Sequence, residues 1–315
     1  MTNDYSFATL RNRLHVTGTL VALTALRIGS GRSTEVTGTD LPVLRDARGR
    51  PLIPGASIKG ALRARMESLV RVVNDGEDGE ALDLPALQDK VGKLAKLLEQ
   101  DVELKRLKAK PNNAAAVDQY TSTFYWKNST LIDLTFGAQW TASRVFVRDA
   151  LVDTSLWFGQ YEVRNGVGID RDTETASDGL LYDYEVVPAG TRFDFALSAE
   201  NMADWQLGML VLALAPWERG EAQVGGFRSR GLGYVQLVAP KPNASEPVDP
   251  SEPADKNTKE LPRYDFFDIR SKNKVDDVIN LLDGKGGTAM TDTQRKEWIA
   301  AFKVALENPS SVKGN

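Results

Sequence analysis

Four glycines in nine residues, Gly225, Gly226, Gly231 and Gly233, frame Arg228 and Arg230. Glycine lets a backbone approach a phosphate closely and expose its N–H donors. Arginine adds charge and two-pronged geometry. From these residues alone, a tight turn ahead of a strand with solvated arginines reads equally well. A second candidate is Pro54-Gly55-Ala56-Ser57, which opens a helical repeat with Ser57 as its cap. The free N–H groups and dipole of such a helix start form an anion site, and Lys59 and Arg63 lie one turn apart to supplement it. The plain alternative is a capped helix with a solvated basic face. Arg27, Arg32, Arg45 and Arg50 are weaker members of the same group. Between Arg27 and Arg71 there are nine basic and four acidic residues, whereas Asp75–Glu103 has three basic and nine acidic. Asp40, taken alone, reads as a loop aspartate that caps a turn.

Several chemistries are excluded. The chain has no cysteine and one histidine, His15, so disulfides, thiolate zinc sites and histidine pairs are impossible. Gly29-Ser30-Gly31-Arg32-Ser33-Thr34 lacks the lysine of a nucleotide-binding loop, and Gly284-Lys285-Gly286-Gly287 fails similarly. The acidic run 75–83 does not match the carboxylate spacing of a calcium loop. Neither zinc nor a nucleotide cofactor is expected. The net charge of −4 and pI near 5.3 argue weakly against a nucleic-acid binder, but phosphate attraction is local, screened within about 8–10 Å. No apolar run reaches the roughly 18–20 residues of a membrane span, and the first residues lack a signal-peptide pattern. A cytoplasmic protein without membrane contact is expected.

These residues need elements to position them. Residues 13–28 alternate in the strand period, with Leu14, Val16, Leu20, Ala22, Leu26 and Ile28 on one face. Ile58, Leu62, Met66, Leu69 and Val73 give the next helix one buried stripe. Residues 74–142 read as a mainly helical insertion. Strand alternation resumes at 143–153, and an extended pair around a polar stretch predicts a protruding hairpin over 161–187. A strand at 191–200 and an almost wholly apolar helix at 203–216 follow, then a last strand at 234–239. Without the insertions this is the βαββαβ order of a ferredoxin-like, RRM-like α+β fold. The expected domain spans 1–240. A Pro- and Ser-rich linker covers 241–260, and a helical tail covers 261–315. Trp205 reads as core. Trp126, Trp140 and Trp157 stay open between core and base-stacking platforms.

Three stretches together carry a resemblance. The first runs from Ile28-Gly-Ser-Gly31 through Thr39-Asp40-Leu41-Pro42-Val43 to Pro51-Leu-Ile-Pro-Gly55-Ala-Ser-Ile-Lys59-Gly-Ala-Leu-Arg63. The second is Arg164-Asn-Gly-Val-Gly-Ile-Asp170-Arg171-Asp-Thr173, and the third is Gly225–Gly233. Over about residues 10–240, excluding the insertion, the chain resembles the RAMP (repeat-associated mysterious protein) superfamily. Its nearest likeness there is the repeated backbone subunit of type III CRISPR effectors.

The resemblance implies a RAMP fold whose hairpin is a thumb, reaching across a guide–target duplex with Val167 or Ile169 as an apolar wedge. It implies guide-RNA contacts from Arg32, Ser57, Lys59, Arg63, Arg164, Arg171 and the Gly225–Gly233 loop. It places Asp40 where catalytic members cut complementary target RNA, with magnesium or another divalent metal expected there. Implied partners are guide RNA, target RNA, neighbouring RAMP subunits and other type III effector subunits. Three other readings stand beside it: a non-catalytic guide-binding scaffold, a guide-precursor-processing endoribonuclease, and a metabolic enzyme on the same fold.

Overall fold

The computed structural model describes residues 7, 9–32, 39–73, 84–172, 174–240, 261–269, 274–284 and 287–313. The expected linker 241–260, residues 74–83 of the expected insertion, and residues 33–38 and Thr173 of the resemblance motifs lie outside these described residues.

In chain order, β1 (Asn12–Ala22) is followed by β2 (Leu52–Ile53) and α1 (Gly55–Val73). Four helices come next: α2 (Leu84–Gln100), α3 (Val102–Lys108), α4 (Ala114–Lys127) and α5 (Leu131–Phe136). Then come β3 (Val145–Val147), β4 (Ala150–Leu151), β5 (Glu162–Ile169), β6 (Ala176–Val186) and β7 (Arg192–Glu200). They lead into α6 (Asp204–Glu218), β8 (Ala222–Gln223), a short 3₁₀ turn at Arg228–Arg230, and β9 (Tyr234–Val238). The C-terminal part holds β10 (Arg263–Asp268), α7 (Lys274–Leu282), β11 (Thr288–Ala289), α8 (Asp292–Glu307) and α9 (Pro309–Lys313).

The sheet is antiparallel and centred on β1. One edge of β1 pairs with β7, which continues to β3. The other edge is shared by two strands in tandem: β10 takes residues 12–17 and β9 takes 19–22. Gly18 stands at the junction, where a Cβ would come 2.5 Å from the Val238 carbonyl and 2.8 Å from Leu237. Only a residue without a side chain fits there.

Period-2 alternation decides which face is buried. Leu14, Val16 and Leu20 of β1, with Phe193, Phe195 and Leu197 of β7, point into the core. Ile58, Leu62, Met66 and Val70 of α1 meet them. Helix α6 is apolar nearly all round and is buried on all sides, as such a composition requires. It lies between the sheet and α8. Gly208 allows the close approach, since a Cβ there would stand 2.0 Å from the Trp298 carbonyl.

Three expectations change. The strand over 13–28 is broken: β1 ends at Ala22, and the chain bends at Leu23 and Thr24 before running on beside other partners. The helix does not begin with Ser57 as its cap. It begins at Gly55, whose N–H donates to Asp149 Oδ1 at 2.8 Å, while Ser57 N–H already bonds back to the Pro54 carbonyl. The protein's own carboxylate therefore answers the helix start that was expected to be free for an anion.

The third change concerns the tail. Residues 261–315 are more than a helical appendage. Tyr264 and Phe266 alternate with Arg263 and Asp265, so β10 joins the sheet and buries its aromatics. Glu218 of α6 locks the tail in place, accepting from the Tyr264 hydroxyl and from Arg295 of α8 at 3.0 Å. No helix among the described residues is long and apolar enough to cross a membrane.

Candidate nucleic-acid interface at the hairpin root

Strands β5 and β6 form the expected antiparallel hairpin, pairing from Glu162↔Val186 outward with an irregularity between Val167 and Ile169. Gly166 is required because the Tyr182 ring lies across it, 2.2 Å from where a Cβ would be. Val163, Val167 and Ile169 are exposed, as is Leu181 on the opposite strand. Nonpolar side chains held out on an otherwise solvated hairpin are available for contact with something else. Arg164 pairs with its neighbour Glu162 at 2.8 Å in an exposed contact of little energetic value. Arg171 is exposed near the tip.

The four residues Ala25–Ile28 tie all three resemblance stretches together. Leu26 exchanges both backbone hydrogen bonds with Val187 at the end of the hairpin, at 2.9 and 2.7 Å. The Ala25 and Arg27 carbonyls accept from Gly233 and Gly226, at 2.9 and 2.8 Å. The Ile28 carbonyl accepts from Leu44 at 2.7 Å. Alternate residues thus bond to the glycine loop on one side and to the hairpin and the Asp40 loop on the other. Ala25, Tyr184, Val186 and Leu232 bury a small apolar cluster there, with Leu41, Tyr182 and Phe227 packed against it.

The glycine loop takes its shape from close approach. Gly225 has φ +85°, and a Cβ on it would stand 2.2 Å from the Arg27 carbonyl. Gly231 has φ +83° with nothing within 4 Å of its missing side chain, so this backbone is open to a ligand. Phe227 between them is itself left-handed, at φ +57°, an uncommon conformation for a bulky residue. Its ring carries two guanidinium groups, those of Arg27 at 5.1 Å and Arg230 at 5.0 Å from its centre. Arg230 also donates to the Tyr182 hydroxyl at 2.5 Å.

Arg27 is the residue that composition ranked too low. Its guanidinium lies against Gly29 and Gly226, 3.0 and 3.3 Å from where their side chains would start. Its Nε is buried, and no described residue accepts from it. Burial holds its pKa below the ordinary arginine value, opposed by Tyr182 and Tyr184. Among the described residues, no carboxylate pairs with Arg27, Arg228 or Arg230. Arg27 and Arg230 thus flank one ring, and Arg228 shares their loop. No spacing rule links Arg27 to residues two hundred positions away, so the sequence offered only its place ahead of Ile28-Gly29.

The first helix contributes differently from expectation. Arg63 is spent on structure, donating to Glu67 at 2.7 Å, to Asp133 at 3.1 Å and to the Gly137 carbonyl at 2.5 Å. It ties α1 to α5. Lys59 is half-buried, and burial first, then Arg63, lowers its pKa. Ser57 is half-buried in the first turn, and Arg32 is exposed in the loop after β1. Arg65, which the sequence did not single out, lines a groove with Ser68 on α1, Gln223 and Arg228. That groove joins the helix to the glycine loop.

Asp40 sits at the same root. Its Oδ2 accepts from the Asp183 backbone N–H at 3.1 Å, and among the described residues nothing donates to Oδ1. The next residue, Leu41, forms an isolated parallel bridge to Tyr184. No three His, Cys, Asp or Glu side chains gather at one point among the described residues. His15 lies apart, on the outward face of the sheet between Ser198 and Asp265. Trp126 is buried and Trp140 donates to Ser129 at 2.8 Å, while Trp157 packs on Tyr161, so none of the three stands as an open stacking platform. Trp205 is core as expected.

A helix-backed antiparallel sheet with a long hairpin, and an arginine–glycine loop at the hairpin's root, is the arrangement seen here. The family model described as the RAMP superfamily matches residues 19–236. The chain belongs to the RAMP superfamily. Among curated proteins it is similar to the CRISPR system Cms endoribonuclease Csm3 of Methanocaldococcus jannaschii, 42% identical over 81 residues, covering 24% of this chain and 31% of that one. It is 43% identical over 65 residues to the protein of the same name from Mycobacterium tuberculosis, covering 20% and 25%. The corresponding protein of Methanothermobacter thermautotrophicus is 45% identical over 64 residues, covering 19% and 26%. These alignments span between a quarter and about a third of the relatives' length.

Proposed function

We propose that this chain is a guide-RNA-binding backbone subunit of a type III CRISPR ribonucleoprotein, and that it cuts complementary target RNA at Asp40. The observation that carries the reading is the meeting of Arg27 and Arg230 on the Phe227 ring, with Arg228 in the same open glycine loop and none of the three paired with a carboxylate among the described residues, beside Asp40's own loop. Such a surface suits an RNA backbone, whose phosphates supply the missing charge. The printed names of the relatives, CRISPR endoribonucleases, support the same reading. So does the strand order β9-β1-β7-β3, with α1 and α6 falling between strands in the chain, which fits a modified ferredoxin-like core.

In this reading the glycine loop, Arg65, Lys59 and Arg32 hold the guide backbone. The exposed Val167 and Ile169 wedge between base pairs, with Arg164 and Arg171 on flanking phosphates. Base pairing supplies sequence specificity, and neighbouring RAMP subunits and other effector subunits complete the particle in the cytoplasm. At the scissile linkage the 2′-hydroxyl gives its proton to water as its oxygen attacks the adjacent phosphorus, the bond to the 5′-oxygen breaks, and that oxygen takes a proton from water, giving a cyclic phosphate and a free 5′-hydroxyl. In-line alignment dominates such chemistry. Asp40 offers Oδ1 to orient the 2′-hydroxyl while Oδ2 stays fixed by the Asp183 N–H. Its carboxylate could also give a ligand to magnesium, which typically takes one or two carboxylates, several waters and phosphate oxygens. A bound divalent ion would neutralise charge on the phosphate.

The same hydrogen bond favours a second reading. An aspartate that caps Asp183 has a structural task, and the chain would then be a guide-binding scaffold without cutting. Reconstituted complex with guide and labelled complementary RNA, in magnesium, separates the two. Cuts that vanish in Asp40→Ala with RNA binding retained support the enzyme. Equal cutting by wild type and Asp40→Ala, or by neither, removes it.

A further inference from the structure

We propose that Glu185 is a positioning residue for cutting: with Arg45 it zips the Asp40 loop onto the second thumb strand, so that the reach of Asp40 is set from the thumb. This inference rests on the cutting role of Asp40 proposed above.

Residues 40–45 form only isolated bridges and belong to no regular strand. Fixing each such residue costs about 1–2 kcal/mol of backbone entropy, so specific contacts must hold them. Leu41 exchanges backbone hydrogen bonds with β6, donating to the Asp183 carbonyl and accepting from the Glu185 N–H, both at 3.1 Å. Asp40 Oδ2 accepts from the Asp183 N–H. Glu185 then reaches over with its side chain. Its Oε2 accepts from the Val43 N–H at 3.1 Å, and both oxygens accept from Arg45 Nη2 at 2.8 and 2.7 Å.

The Glu185 side chain is only 14% exposed. A carboxylate so placed is costly to leave unpaired. Arg45 is itself seated on the Tyr161 ring, 4.0 Å from its centre, just ahead of β5. Tyr161 in turn donates to the Gly49 carbonyl at 2.8 Å. The segment from Asp40 to Gly49 is therefore anchored at the roots of both thumb strands. Asp40 bonds to Asp183, two residues from Glu185 on the same strand, so a thumb that bends on a duplex carries Asp40 with it. Misplacing a reacting group by about 1 Å costs roughly a hundredfold in rate.

The test is single-turnover cutting of complementary RNA by the reconstituted complex, with target affinity measured in parallel. Glu185→Ala and Arg45→Ala should each slow cutting about 10- to 100-fold and leave target Kd within about twofold. The double variant should be no slower than the worse single one, because both remove one device. The reversed pair, Arg45→Glu with Glu185→Arg, should recover part of the rate. Should Glu185→Ala fail to assemble, Glu185→Gln keeps one acceptor oxygen for Val43 while removing the charge and one of the two acceptors that face Arg45.

Wild-type cutting by the Glu185 variants, or rate and affinity falling in step, overturns the inference while leaving Asp40 as the cutting residue. If Asp40→Ala cuts normally, the underlying reading fails instead. Hydrogen exchange over residues 41–45 then decides the zipper alone: faster exchange in Glu185→Ala sustains it, and unchanged exchange overturns it.

Discussion

The sheet core and the hairpin root bury apolar side chains in different company. In the core, one continuous cluster fills the space between the sheet, α1, α6 and α8. A charge admitted there is answered: Glu218 receives both Tyr264 and Arg295. Burial, reinforced by the Glu218 carboxylate, pushes the Tyr264 hydroxyl far above its ordinary pKa, so it remains a donor. At the root the apolar cluster is small, and Arg27, Arg228 and Arg230 beside it meet no acid among the described residues. The core is complete by itself. The root is left with charges that no described residue answers.

The largest effect should follow from cutting into the core. Phe193 is fully buried between β1 and the helices, so Phe193→Ala should cost about 3–5 kcal/mol. Urea unfolding should show this as a lower midpoint, with guide binding lost only through the unfolded fraction. A midpoint within experimental error of wild type would mean that the core is not the stabilising unit.

A substitution at the root should reverse that pattern. Gly225→Val places a branched side chain at φ +85° and against the Arg27 carbonyl. Local strain of about 1–3 kcal/mol is expected, and it displaces the glycine loop together with Arg27. Guide-RNA affinity should drop at least tenfold, and the salt dependence of binding should flatten by about 0.7 for each lost phosphate contact. Normal affinity in Gly225→Val would erase the distinction between the two regions. A collapse in stability as large as that of Phe193→Ala would erase it too.

The same contrast explains what the sequence disclosed. Alternation along β1 and β7, the stripe of α1 and the uniform apolarity of α6 are local patterns, and the core follows from them. The hairpin over 161–187 was legible as two extended runs around a polar tip, and the structure has it at 162–186. The tail strand was equally local, in the alternation of Arg263-Tyr264-Asp265-Phe266, but a Pro-rich stretch before it suggested a separate unit. The root was legible only as three motifs. Their meeting depends on the bend at Leu23–Thr24, where β1 leaves the sheet, and a continuous strand period through residue 28 hides that bend. The uses of Arg63, Asp149 and Glu185 are long-range pairings that no spacing encodes.

The smallest effect concerns the sheet's outward face, which lies between these extremes. His15 is half-buried there, and burial lowers its pKa from 6.5 despite the attraction of Asp265. Arg13, Arg148 and Arg263 push the same way as burial. The unfolded chain therefore binds the proton more readily than the fold does. Well above pH 6.5 both states are neutral and His15 adds no pH dependence. As pH falls through that value the unfolded state gains the proton first, so stability declines. Wild type should lose more Tm between pH 7 and pH 5 than His15→Gln, by a small margin, since the carboxylates titrate alike in both. Equal slopes would show that the outward face solvates His15 as freely as water does. A steeper slope in wild type would mark this face as a third kind of surface, half desolvated yet carrying arginines that Glu200 and Asp265 partly balance.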